Sequence, residues 1–187
     1  MFEVTKYSTT NLRKTIFAGI LAALSFILMR FTEFPIFPSV SFLTTDLGDI
    51  PFLYGAIYLG PWYAVGIVFV KNLLFFLSGG SPGGIIGLIA NFIALSTFGI
   101  VVGFITLKRK NPKNVILGLV SGAIAFALVM IPTNLWAVPL YLPGITREEL
   151  ITYLYTVNLP FNLLKGAIDT GITLAVYLSL RKHNPMK

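Results

Sequence analysis

The chain has 187 residues, of which 56% are hydrophobic and 11% charged, and it carries a formal net charge of +7. A soluble globular domain holds roughly 25% charged residues, so less than half that share leaves too little polar surface to coat a water-soluble particle. The lack of cysteine excludes disulfides, thiolate metal sites and cysteine nucleophiles, and the single histidine, His183 in a basic tail, excludes most histidine-dependent catalysis and metal binding.

Six apolar segments follow in chain order. The first runs from Leu12 to Met29, the second from Ile50 to Leu59 and the third from Trp62 to Leu77. The fourth runs from Ile85 to Leu107, the fifth from Val115 to Leu135 and the sixth from Tyr153 to Leu180. A transmembrane helix takes about 20 mainly apolar residues, so six of them use most of the chain and leave one integral membrane domain over residues 1–187. The first apolar run is longer than a signal-peptide core and has no A-x-A-like cleavage site after it, so it is expected to remain as a helix. Only Gly60-Pro61 divides the second segment from the third. Read as one broken helix, the two would leave five spans. The second alone is too short to cross unless residues before Ile50 lengthen it.

Charge decides between five and six. Lys and Arg collect in short cytoplasmic loops. Lys6, Arg13 and Lys14 precede the first segment, Lys108, Arg109, Lys110 and Lys113 follow the fourth, and Arg181, Lys182 and Lys187 close the chain. Six spans put these three clusters on one face and Glu33, Asp46, Asp49, Glu148 and Glu149 on the other. Five spans would place the two termini on opposite sides. The expected architecture is therefore an all-α, polytopic protein of the cell membrane, with six transmembrane helices and both termini cytoplasmic. The basic excess reads as topology and not as a nucleic-acid surface.

Inside this apolar frame the sixth segment carries Asn158, Asn162, Lys165 and Asp169. Spacings of four, three and four return to one face of a helix with 3.6 residues per turn. A charge inside a bilayer costs about 2.5–3.5 kcal/mol on insertion scales and persists where it meets a cavity or a partner. Lys165 and Asp169, four apart, can neutralise one another, but that leaves the two asparagines of the stripe unexplained. Asn72, Asn91 and Asn134 add amides from three other segments, each alone suited to joining helices. Together they point to a polar cavity opening toward the outer face. Lys71, about two turns from the outer end of its segment, is placed to snorkel.

The outer connections read as walls of that cavity. Phe34-Pro35-Ile36-Phe37-Pro38 through Asp49-Ile50-Pro51 is rigid and aromatic. Ser78-Gly79-Gly80-Ser81-Pro82-Gly83-Gly84 allows close backbone approach to a ligand and lacks the Lys-Ser/Thr of a P-loop. Trp136 and Tyr141 form a third aromatic stretch, which would equally suit an interfacial belt. Amides, a lysine and aromatic walls suit a flat, largely uncharged, hydrogen-bonding ring compound. An intramembrane enzyme would need a histidine or a carboxylate cluster within the helices, and Asp169 stands alone there; no enzymatic activity, catalytic residue, metal or resident cofactor is expected. In the first segment Ala18 and Ala22 are four apart, as are Gly19 and Ala23, a pattern that lets helices approach closely, within the protein or on another subunit.

In order and spacing, several stretches resemble the riboflavin-binding family of substrate-binding S components of energy-coupling factor (ECF) vitamin transporters. They are Thr45-Asp46-Leu47-Gly48-Asp49-Ile50-Pro51, Gly60-Pro61, Gly79 to Gly84, Ala90-Asn91-Phe92-Ile93, Asn134 with Pro139-Leu140-Tyr141, and Pro160-Phe161-Asn162-Leu163-Leu164-Lys165. The likeness covers nearly the whole chain. Gly48 departs from it, standing where the pattern Asp-x-Ser-Asp-Ile-Pro has serine. The resemblance implies six helices, a pocket near the outer face, riboflavin as the transported ligand, and partners comprising one membrane coupling protein and two cytoplasmic ATPases. It further implies that Asn134, Asn162 and Lys165 hydrogen-bond the flavin, with Asn91 and Asn158 in the same polar lining. Thr45, Asp46 and the Gly79-Gly80 backbone would close over the ligand, Asp169 would hold Lys165 in place, and Ala18 and Ala22 would dock on the coupling protein. FMN or another vitamin remains an alternative ligand, Lys71 or Arg147 then meeting the phosphate, and a ligand-free assembly subunit is the alternative outside transport.

Overall fold

The computed structural model describes residues 2–36, 43–80 and 84–181, with side chains from residue 11 onward. Phe37 and Pro38 of the first outer connection, residues 81–83 of the glycine-rich loop, the Lys6 side chain, and Lys182, His183 and Lys187 of the tail lie outside the described residues.

Helices make up nearly all of the described chain: α1 (Phe2–Thr32), α2 (Asp49–Leu59), α3 (Pro61–Leu77), α4 (Gly84–Thr106), α5 (Pro112–Tyr141), α6 (Arg147–Tyr153) and α7 (Leu159–Leu180). A π-helical turn, Leu154–Asn158, joins α6 to α7 without a break, so the described residues form six helical rods. Pro160 has no N–H to give to the turn before it, and the helix widens there instead of stopping. One short antiparallel ribbon pairs β1 (Phe34–Pro35) with β2 (Thr44–Thr45), Phe34 opposite Thr45.

Residues 11–32, α4, α5 and the continuous run 147–180 are each long and apolar enough to cross a bilayer, and α3 is apolar but shorter, at 17 residues. The second segment does not gain length from the residues before it. α2 starts at Asp49 and has 11 residues, about 16 Å of helix at 1.5 Å per residue against a hydrocarbon core of about 30 Å. Every one of its residues is buried, because α1, α3, α4 and α7 all pack around it. The fifth and sixth segments extend beyond their apolar runs, to Tyr141 and back to Arg147. Asn111 caps α5 by accepting from the Asn114 N–H at 2.8 Å, and Thr146 with Glu149 forms a reciprocal capping box at α6.

Gly60, at φ +97°, separates α2 from α3, and Pro61 then opens α3 at the position where a missing N–H costs nothing. α4 passes this corner so closely that a Cβ on Gly103 would lie 2.5 Å from the Pro61 nitrogen. At the opposite end of the bundle from the sites described below, the Tyr177 hydroxyl of α7 donates to the Lys110 carbonyl. The end of α7, followed by Arg181, therefore lies beside the basic loop of Lys108, Arg109 and Lys110. From that end α5 runs the length of the protein to Tyr141.

Candidate ligand site

At the far end of α5 is a cavity of about 360 Å³. Its polar lining includes Glu33, Asp46, Asn91, Asn134, Tyr141, Asn162 and Lys165, and Phe75, Phe126, Met130 and Phe161 are among its apolar walls. Five of the residues singled out in the sequence thus meet in one space: Asp46, Asn91, Asn134, Asn162 and Lys165.

The amides are fixed by their own helices. The Asn134 amino group donates to the Met130 carbonyl at 2.9 Å, one turn back around Pro132. The Asn162 amino group donates to the Asn158 carbonyl at 2.8 Å and its side-chain oxygen at 3.2 Å. The Asn91 amino group donates to the Asn72 oxygen at 3.2 Å. Each amino group points back into the protein, and each amide keeps its oxygen as the end available to accept.

Thr45, Asn158 and Asp169 are buried but do not line the cavity. Neither do Gly79 and Gly80. The Gly80 N–H donates to the Phe75 carbonyl at 3.1 Å and the Gly79 N–H to the Phe76 carbonyl at 3.0 Å, with Gly79 at φ +73°. That is a Schellman ending for α3, which accounts for Gly79, while a Cβ on Gly80 would fall 2.6 Å from the Phe75 ring.

Lys165 occupies the centre of a buried charge cluster. Its Nζ is 2.6 Å from Asp49 Oδ2, 3.8 Å from Asp46 Oδ2 and 3.9 Å from Asp169 Oδ2. Asp49, at the start of α2, is therefore its close partner, and Asp169 is not. The other oxygen of Asp49 receives Lys71 at 2.5 Å. Lys71 is 0% exposed. It does not snorkel, because its ammonium is spent on Asp49, and it is unavailable to a phosphate. Arg147 is exposed on α6 and outside the cavity lining. Asp169 does not stand alone in the helices either, since Asp49 reaches the same ammonium from α2. Both of its oxygens are nevertheless buried without a hydrogen bond. Asp49 and Lys71 are the members of this site to which sequence reasoning gave other places, Asp49 among the acids of the outer face and Lys71 as a snorkelling or phosphate-binding lysine.

The loop carrying Asp46 and Asp49 lies directly against α1. A Cβ on Gly48 would fall 2.3 Å from the Ser25 carbonyl and 2.7 Å from Asp46 Oδ1, and the Gly48 N–H donates to that same oxygen at 2.7 Å. The glycine that departs from the family pattern is thus matched to a close approach of two backbones. In α1, Ala22 is 1% exposed and belongs to the core, with Ala18 packed against it. The small residues that face outward are the other pair, Gly19 and Ala23.

These features define a multi-pass helical membrane protein with a partly open pocket, sized for a single small solute. The family model described as the substrate-specific component of the ECF transporter matches residues 13–177, and the chain belongs to that family, which is a transporter component and not an enzyme. The riboflavin transporter RibU of Streptococcus thermophilus is 34% identical, over 96% of this chain and 90% of that one. The riboflavin transporter FmnP of Bacillus subtilis is 27% identical, over 91% of this chain and 93% of its own. A solved structure of the S component of a bacterial ECF transporter superposes with a TM-score of 0.77 at 28% identity, covering 92% of this chain and 98% of that one.

Proposed function

We propose that this chain is the riboflavin-binding subunit of an ECF-type importer, which captures the vitamin at the outer face and delivers it inward. The observation that carries the reading is the convergence of Asn91, Asn134, Asn162 and Lys165 on one cavity with Phe75, Phe126 and Phe161. A flavin ring is flat and neutral near pH 7, with an imide N–H between two carbonyls. Amide oxygens suit the N–H, the ammonium suits a carbonyl, and aromatic walls suit the faces. Lys165, the only cation of the lining among the described residues, already has carboxylates around it, so a neutral ligand is favoured over a dianionic phosphate ester such as FMN.

In this reading both termini and the loop of Lys108, Arg109 and Lys110 are cytoplasmic, and the cavity opens outward. ATP hydrolysis comes from two ATPase subunits through a membrane coupling protein, and α1 meets that protein with its outward face, where Gly19 and Ala23 permit close helix approach. The relatives named for riboflavin transport support the ligand.

Titration of purified protein should quench riboflavin fluorescence with a stoichiometry of one. Lys165→Ala should weaken binding by about tenfold or more, the worth of a hydrogen bond to a charged donor. Lack of quenching at micromolar riboflavin would remove the proposal.

A further inference from the structure

Lys71 and Asp49 are buried, charged and outside the cavity lining. The capture of a neutral vitamin does not call on them directly, yet a buried ion pair is seldom a source of net stability compared with apolar side chains of the same shape. Their geometry offers a use. Asp49 gives one oxygen to Lys71 of α3 at 2.5 Å and the other to Lys165 of α7 at 2.6 Å. A carboxylate held at both oxygens has its plane fixed, and the start of α2 is a favourable place for it, since the helix dipole attracts negative charge there. The carboxylate in turn fixes the Lys165 ammonium at the cavity wall.

Lys71 also sets how strong a donor Lys165 remains. An ammonium has three N–H bonds. One meets Asp49, while Asp46 at 3.8 Å and Asp169 at 3.9 Å lie beyond hydrogen-bonding distance. Two N–H bonds stay uncommitted. Because Lys71 draws on the same carboxylate, Asp49 neutralises Lys165 only in part, and the ammonium can still polarise a neutral carbonyl.

We propose that Asp49 and Lys71 are positioning residues for ligand capture, a fixed charge pair that aims Lys165 into the cavity and keeps its donors free. This rests on the riboflavin reading above. It differs from a purely structural role in one consequence: removing the pair should matter only while Lys165 is present.

A double-mutant cycle tests this on the full-length chain in detergent, reading the riboflavin Kd by fluorescence quenching. The cycle is run in an Asp169→Asn background, so that no step leaves a lone charge among Asp49, Lys71 and Asp169. Its corners are the background, Lys165→Met, Asp49→Asn with Lys71→Met, and all three changes together. We expect Lys165→Met and the pair removal each to weaken binding by about tenfold or more, and the triple change to be no weaker than Lys165→Met within about threefold. Losses that multiply, or a pair removal that leaves Kd unchanged, overturn the inference while the riboflavin reading stands. An unchanged Kd in Lys165→Met overturns the site reading as well. Should the pair removal fail to fold, Asp49→Glu keeps both charges and lengthens the arm by one methylene. It should weaken binding when Lys165 is present and have no effect in the Lys165→Met background, and equal losses in both overturn the inference.

Discussion

Asp169→Asn should stabilise the protein. Ionised, Asp169 gains about 4 kcal/mol from Lys165 at 3.9 Å with an effective dielectric of about 20. The same ammonium is 2.6 Å from Asp49 and 3.8 Å from Asp46, so the nearest oxygens of those carboxylates lie no more than about 6.5 and 7.7 Å from Asp169. At those limits they repel it by about 2.5 and 2 kcal/mol. Lys71, on the far side of Asp49, returns only about 1–2 kcal/mol. The Coulomb terms nearly cancel, and the desolvation of a carboxylate with no hydrogen bond, several kcal/mol in a real interior, is left without compensation. An asparagine keeps the shape and part of the polar cost, so the expected gain is about 1–3 kcal/mol. For a chain of this length that is about 3–8 °C in Tm. Thermal unfolding in detergent, followed by the fluorescence of Trp62 and Trp136, measures it. Lys71→Met, which strips Asp49 of a partner, should move Tm the other way, by the equivalent of about 3–5 kcal/mol. An Asp169→Asn variant less stable than the parent by more than about 1 kcal/mol would refute the reasoning and make Asp169 a required counter-ion of Lys165.

Asn134→Ala and Asn162→Ala should each weaken riboflavin binding by about five- to a hundredfold, the range for one buried hydrogen bond, in the same quenching titration. Gly103→Val should cost about 1–3 kcal/mol by overpacking, since its Cβ would meet the Pro61 backbone at 2.5 Å; a melting curve reads it. Ala23→Phe, on the outward face of α1, should abolish co-purification with the coupling protein and its ATPases while leaving the riboflavin Kd within about twofold. Ala22→Phe, in the core, should instead lower the stability of the chain itself.

The apolar runs located the long rods, because the bilayer demands about 20 apolar residues wherever a helix crosses, and composition records that demand directly. The ends were less legible. α5 continues through Pro132 and Pro139 to Tyr141, where Thr133 and Asn134 turn their side chains back onto the carbonyls of Val129 and Met130 at 2.7 and 2.9 Å. Each proline removes one helical N–H, yet the helix continues, and no hydropathy window detects that. The small-residue pattern of α1 was similarly ambiguous. Ala18 with Ala22 and Gly19 with Ala23 have the same spacing, and only the placement of α2 and α3 against α1 decides which pair faces inward.

The polar stripe of α7 was readable because all its members lie on one helix, where spacing alone sets the face. Asp49 and Lys71 lie 22 residues apart on different helices, and no periodicity relates them. One signal in the sequence does. Lysine in the middle of an apolar segment needs a nearby acid, and the second segment is about half the length that a membrane requires. A helix that short cannot begin at one surface and reach the other. Since Gly60 turns the chain straight into α3 near one end of the bundle, the start of α2 must lie deep in the protein, and whatever stands there is buried whatever its charge. Asp49 reads as a surface residue only if its segment is assumed to span. Its half-length makes it the partner that both buried lysines lack.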